Sequence, residues 1–269
     1  MSRTPRAHGT SNSIRAGLGL VIAAVSAAAL LAPPPAIAAA STAPRCADLT
    51  GREIPAPAIR LPTRGGRVES AAPVTQVVSG RTVEYCRVDA SLFPVDPSAP
   101  DIRLRIAMPT DWNRKAMMFG GGGYDGTIPD IAQNVPLGRS DQPTPLARGY
   151  ATFASDSGHQ AGPAGSLDGS FGANDEALRN FAAGDALKKT RDAAMFLIRA
   201  GYGATPGRSF FAGGSTGGRE ALIVAQRWPD DFDGIISAYP AWNNMAEILY
   251  LGNITRLMST APGFSRYLP

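Results

Sequence analysis

The stretch from Ser209 to Glu220, SFFAGGSTGGRE, constrains the fold more than any other part of the chain. It contains G-x-S-x-G as Gly213-Gly214-Ser215-Thr216-Gly217. A short apolar run from Ser209 to Ala212 precedes it. A helix-like run from Glu220 to Trp228 follows, closed by Pro229. Strand, sharp turn and helix form the setting in which G-x-S-x-G becomes a nucleophile elbow. The reason is steric. The serine must take a strained backbone conformation for its hydroxyl to stand clear of the turn. Neighbours without a Cβ let strand and helix approach that closely, and Gly213, Gly214, Gly217 and Gly218 all lack one. The helix start then aims backbone N–H groups at an oxygen held beside the serine. The same letters also fit a glycine-rich turn with Ser215 as an ordinary N-cap.

Upstream, Lys115 to Phe119 reads as a buried strand running into four consecutive glycines, Gly120 to Gly123. Each glycine costs backbone entropy, so a run of them asks for a reason. In α/β-hydrolases the loop after the third strand supplies one N–H of the oxyanion hole. A flexible surface turn is the plainer alternative. A phosphate loop fits poorly, because no Lys-Ser/Thr pair follows the glycines. Ile102 to Met108 alternates apolar and basic residues, the period of a half-buried strand. Gly149 to Ala154 is the next strand, and it opens on Ser155 to Gln160. Residues 175–200 read as one long helix ended by Gly201, and Asp233 to Tyr239 as a further buried strand. This alternation predicts a parallel sheet with right-handed crossovers. Ser215 then sits at the carboxyl end of a strand, where such sheets bind ligands.

Residues 1–40 read as an export signal. Arg3, Arg6 and Arg15 precede an apolar run from Ala16 to Ala32, and Ala36-Ile37-Ala38 is a cleavage candidate. A single-pass anchor is the alternative, against which the small residues and Pro33 to Pro35 argue. The formal charge of +4 belongs mostly to this segment, because beyond residue 40 there are 23 basic against 22 acidic residues. That balance gives no footing for nucleic acid. No other run is long and apolar enough for a membrane, so the chain is expected free of both partners after cleavage, in a secreted or periplasmic setting. An exported chain whose cysteines are Cys46 and Cys86 suggests one disulfide; two free buried thiols are the alternative. Without flanking histidines the two make no metal site.

Ser215 needs a base to take its proton and an acid to orient that base. In α/β-hydrolases the chain order is Ser, then Asp or Glu, then His. No histidine follows Ser215; the chain has His8 and His159. Asp230, Asp231, Asp233 and Glu247 follow the serine too closely to be the triad acid. Three explanations stand: the acid and base lie beyond residue 269, the chain is an inactive relative, or His159 acts from an unusual position. In Ser157-Gly158-His159-Gln160, directly after a strand, fixing a loop is the more ordinary role.

Taken together, these residues resemble the tannase/feruloyl esterase family over nearly all of 46–245. The pieces are Cys46 to Leu49, Tyr85 to Val88, Leu104 to Pro109 with Trp112-Asn113, the Gly120–Gly123 loop, and Gly149 to Ala151 leading to Asp156–His159. Ser215 to Arg219 and the strand to Tyr239-Pro240-Ala241 complete the set. The resemblance implies an α/β fold: an α/β-hydrolase-like, mostly parallel sheet with flanking helices, broken off at the start of a lid inserted after the sixth strand. It divides the chain into a signal (1–40), a loop-rich segment with the disulfide (41–100), a partial core (101–240) and the start of the lid (241–269). It implies a secreted serine esterase acting on galloyl- or feruloyl-type aromatic esters, with Ser215 as nucleophile. Thr216 and one of Gly121, Gly122 and Gly123 would donate the oxyanion N–H groups, and Cys46 and Cys86 would pair. No cofactor is expected, and the family's lid calcium site would fall beyond residue 269. The family has a cysteine before the serine, bridged to one beside the catalytic histidine; here that position is Gly214. A rival of another class uses the same cleft without catalysis, to bind an aromatic ligand.

Overall fold

The structure, a computed structural model, describes residues 44–163 and 165–260. The export signal expected over 1–40 and its cleavage sites lie outside those residues. One mixed sheet of eight strands organises the rest: β1 (Glu53–Ile54), β2 (Gly66–Val78), β3 (Arg81–Leu92), β4 (Ile102–Pro109), β5 (Lys115–Phe119), β6 (Ala151–Ser155), β7 (Arg208–Gly214) and β8 (Gly234–Ala238). Their order across the sheet is β1-β2-β3-β4-β6-β5-β7-β8. The run from β1 to β6 is antiparallel, whereas β6, β5, β7 and β8 are parallel. The helices are α1 (Asp175–Ala182), α2 (Asp185–Tyr202), α3 (Thr216–Arg227) and α4 (Asn244–Thr260).

The parallel strands are short and apolar because both of their faces are covered. Ala116, Met118, Phe153 and Phe211 face a core that α2 and α3 close with Leu187, Ala194, Leu197, Ala221 and Val224. Their neighbours Met117, Phe119, Ala154 and Ala212 face the opposite core, which Ile131, Ala132 and Leu146 cover. The alternation read in β4 is kept. Ile102, Leu104, Ile106 and Met108 are buried, while Arg105 turns outward to Asp89 of β3 at 2.6 Å.

Two sequence readings change. The segment 41–100 is less loop-like than its composition suggests, since β2 and β3 form a long hairpin paired from Gly66↔Leu92 to Val78↔Arg81, with a register shift between Val68 and Ser70. Its strands extend the short strand-like stretches Val74–Val78 and Thr82–Val88 that the sequence shows, across exposed polar and small residues such as Arg67, Glu69, Ser70 and Ala72. The long helix expected over 175–200 is two helices. Gly184 stands between them at φ 75°, and a Cβ there would meet Ile223 at 2.7 Å. Arg219 and Arg227 donate to the carbonyls of Phe181, Ala182 and Ala183, which satisfies the freed end of α1.

Cys46 and Cys86 form a disulfide with Cα atoms 5.5 Å apart, tying the start of the described chain to β3. Replacing both by serine is expected to lower unfolding free energy by about 3–4 kcal/mol, the loop-entropy contribution of such a closure, read from urea titrations. A second tie is electrostatic. Lys188, buried in α2, donates to Asp192 at 2.9 Å and to Asp231 at 2.7 Å. Lys188→Ala leaves these two buried carboxylates sharing only Arg191, at 3.3 and 3.5 Å, and should cost up to about 3–5 kcal/mol. Arg139→Ala, which breaks an exposed pair with Asp141, should leave the urea midpoint unchanged.

Candidate active site

At the carboxyl end of β7 the chain turns sharply into α3, and Ser215 takes the turn at φ 55°, ψ −120°. That conformation lies outside the regions an L-residue prefers. It is held by three backbone hydrogen bonds: Ser215 N–H to Ala238 O at 3.2 Å, Ala241 N–H to Ser215 O at 2.9 Å, and Arg219 N–H to Ser215 O at 3.1 Å. The serine side is open to solvent, whereas Gly213, Thr216, Gly217 and Gly218 around it are buried. A Cβ on Gly213 would come within 2.7 Å of the Gly217 Cα, so strand and helix touch backbone to backbone. Gly214, where the resemblance implies a cysteine, has its space filled by the Tyr239 ring, which a Cβ would meet at 2.6 Å.

The glycine loop after β5 docks on the first turn of α3, since β5 and β7 are parallel neighbours and end side by side. Gly217 N–H donates to Gly121 O at 3.0 Å, and Thr216 Oγ1 donates to Gly123 O at 2.5 Å. Gly121 is corrected as an oxyanion donor, because its own N–H is spent on Glu220 Oε2 at 2.9 Å. Among the described residues, the N–H groups of Gly122, Gly123 and Thr216 have no acceptor.

Beneath the loop lie groups that the motif reading passed over. Glu220, on the inner side of α3, also accepts from Ser157 Oγ at 3.2 Å. Asp125, at φ 59° just past the glycines, is buried against it. Burial raises both carboxyls, that of Asp125 well above its ordinary value. Asp156 shapes the neighbouring turn by accepting from Gly158 N–H, Arg103 N–H and Gln160, and burial lifts its pKa to about 6. The sequence signal was present: an acid directly after a glycine loop, and another in Gly217-Gly218-Arg219-Glu220. Neither can be recognised without knowing that the two segments touch.

His159 is buried in an aromatic cluster. Its ring stacks on Phe171 at 3.6 Å and meets Phe181 edge-on at 6.0 Å, and burial lowers its pKa, which favours neutral imidazole. No hydrogen bond joins it to Ser215, and no other described residue offers Ser215 an imidazole. Asp231 and Asp233 are engaged with Lys188 and Arg208. Among the described residues no group of three His, Cys, Asp or Glu is placed to hold a metal. A cavity of about 560 Å³ lined by Arg81–Glu84, Pro109–Asp111 and Leu146–Gly149 lies at the amino-terminal end of β6. Ser215 stands at the carboxyl ends of the parallel strands, so the cavity belongs to the other end of the sheet.

A serine on a strand-to-helix elbow of such a sheet defines the α/β-hydrolase class. A sequence profile described as tannase and feruloyl esterase matches residues 86–263, and the chain belongs to that family. An uncharacterized esterase of Agrobacterium fabrum is 42% identical over 212 residues, covering 78% of this chain and 38% of the relative. A mono(2-hydroxyethyl) terephthalate hydrolase of Piscinibacter sakaiensis is 28% identical over 186 residues, covering 64% of this chain and 29% of the relative. The crystal structure of feruloyl esterase B from Aspergillus oryzae shares the fold, with a TM-score of 0.53 at 23% identity over 68% of this chain and 35% of that one. The chain thus spans 38% or less of the length of these proteins. No helix among the described residues is long and apolar enough to cross a membrane.

The backbone contact between β7 and α3 can be tested separately from chemistry. Gly213→Ala should lower stability by about 1–3 kcal/mol, the cost of overpacking. Gly122→Ala, which meets nothing within 4 Å, should stay within about 0.5 kcal/mol of the parent.

Proposed function

We propose that the protein is a serine carboxylic-ester hydrolase that forms an acyl-enzyme on Ser215. The observation carrying this reading is the strained, exposed Ser215 beside a glycine loop with acceptor-free N–H groups. In the mechanism, Ser215 Oγ attacks the ester carbonyl carbon and loses its proton to a base. The carbonyl oxygen becomes an oxyanion, which Thr216 N–H and the N–H of Gly122 or Gly123 stabilise. The alcohol leaves with a proton, and water repeats the sequence on the acyl-enzyme. Each donor would contribute about 3–4 kcal/mol to lowering the barrier. Feruloyl esterases and a terephthalate-ester hydrolase among the relatives support an aromatic acyl group. The disulfide supports an oxidising, exported setting. The triad acid and base are assigned to the part of the longer relatives that this chain does not span.

The test is hydrolysis of a feruloyl or galloyl ester. In a chain that carries the triad acid and base, Ser215→Ala should reduce kcat by about 10⁴-fold or more. The 269-residue chain alone should turn these esters over slowly, because a serine hydroxyl without a base is a weak nucleophile at neutral pH. His159→Ala should not change that slow rate. Brisk turnover that His159→Ala abolishes would make His159 the base. Ligand binding without Ser215-dependent turnover in a chain that carries the triad acid and base would favour the non-catalytic reading.

A further inference from the structure

Two carboxyl groups meet under the glycine loop, and among the described residues neither is bonded to a cation. Glu220 is 1% exposed and Asp125 is 2% exposed. They converge on Gly121, whose N–H is bonded to Glu220 Oε2 at 2.9 Å and whose Cβ, if present, would collide with Asp125 Oδ1. Two ionised carboxylates that close, out of water, repel strongly, and one shared proton removes the conflict. The donors decide where the proton sits. Glu220 already receives the Gly121 N–H at 2.9 Å and the Ser157 hydroxyl at 3.2 Å, so its negative charge is supported at both oxygens. The Ser157 hydroxyl also lowers the Asp125 carboxyl, but its geometric bond is to Glu220, and neither oxygen of Asp125 has a donor at hydrogen-bond distance among the described residues.

The neighbours that bear on this pair are few. Arg219 of α3 favours ionisation of both carboxyls through its field. Its guanidinium is held over the Phe181 ring at 4.5 Å and bonded to the carbonyls of Phe181 and Ala182. The turn after β6 contributes the neutral Ser157 hydroxyl. The end of β5 contributes Gly121, and a Cβ on Gly120 would meet Glu220 Oε2 at 2.7 Å and the Phe211 ring at 3.1 Å. The loop itself is closed by Asp125 N–H donating to Gly122 O at 2.9 Å.

We propose that Asp125 is a neutral carboxylic acid at neutral pH, that its hydroxyl donates to Glu220, and that this shared proton fixes the Gly120–Gly123 loop beside the elbow. Asp125 and Glu220 are then positioning residues for the oxyanion site. Their catalytic consequence rests on the esterase reading above; the location of the proton does not.

The sign of the pH dependence follows. A carboxyl whose folded pKa is raised contributes stability that is complete below its unfolded pKa and is lost as pH rises towards and through the folded one. The melting temperature of the parent should therefore fall as pH rises above about 4. Asp125→Asn supplies a permanent N–H donor to Glu220 and removes that titration, so its curve should be flatter. Asp156, raised to about 6, adds the same slope to both proteins and cancels in the difference. Parallel curves would overturn the proposal, and so would an Asp125→Asn protein that fails to fold. The second reading is phosphonylation of Ser215 by a fluorophosphonate, followed by mass spectrometry, in a chain that carries the triad acid and base. Asp125→Asn should label at the parent rate, and Asp125→Ala about 10²-fold more slowly, the cost of a misplaced oxyanion donor. Equal labelling of folded Asp125→Ala would overturn the positioning role. A parent Ser215 that never labels, alongside diverging melting curves, would refute the esterase reading and leave the shared proton standing.

Discussion

The site depends on one contact between two backbones: the loop after β5 lies directly on the first turn of α3. Side chains on Gly120, Gly213 or Gly217 would occupy space that other atoms already fill. Parallel pairing of β5 with β7 brings the two segments to the same end of the sheet, and the Gly217 N–H to Gly121 O bond locks them. All the glycines of the two segments except Gly122 are therefore a packing requirement more than a source of flexibility. Their conformational cost is met by hydrogen bonds that the unfolded chain lacks.

Strain at Ser215 is the second consequence. A non-glycine residue at φ 55°, ψ −120° costs on the order of 1–3 kcal/mol and persists only where the surroundings over-determine it. Here β8 and the segment after it do so, through Ala238 O and Ala241 N–H. The exposed hydroxyl is thus set by the sheet beneath it. The carboxyl pair works from below in the same sense, since Glu220 holds Gly121 while Asp125 closes the loop. The outer face of the loop, with Gly122 and Gly123, stays free for a substrate oxygen.

Much of this was legible in the sequence, and the reasons are physical. Short apolar strands buried on both faces announce themselves, as do glycine turns between strand and helix, so the parallel half of the sheet and the elbow were readable. Of the β2–β3 hairpin only Val74–Val78 and Thr82–Val88 read as strand-like, because the rest of β2 exposes Arg67, Glu69, Ser70, Ala72 and Pro73 without an apolar run. The break at Gly184 was missed because apolar spacing continues across it. At the site, Ser215 and the glycine loop follow from local pattern. The loss of Gly121 as a donor, and the roles of Asp125, Ser157 and Glu220, arise from contacts between residues 63 to 99 positions apart in the chain. Such contacts leave no periodic trace. His159 carried a chemical signal without a position, and the aromatic cluster around it supplied the position.

The most direct test of the central claim is a crystal structure of the protein with Ser215 trapped by a phosphonate ester. The account predicts phosphorus bonded to Ser215 Oγ and one phosphonyl oxygen within about 3 Å of the N–H of Thr216 and of Gly122 or Gly123. An adduct whose oxygen points away from both segments, or one formed on another residue, would contradict it.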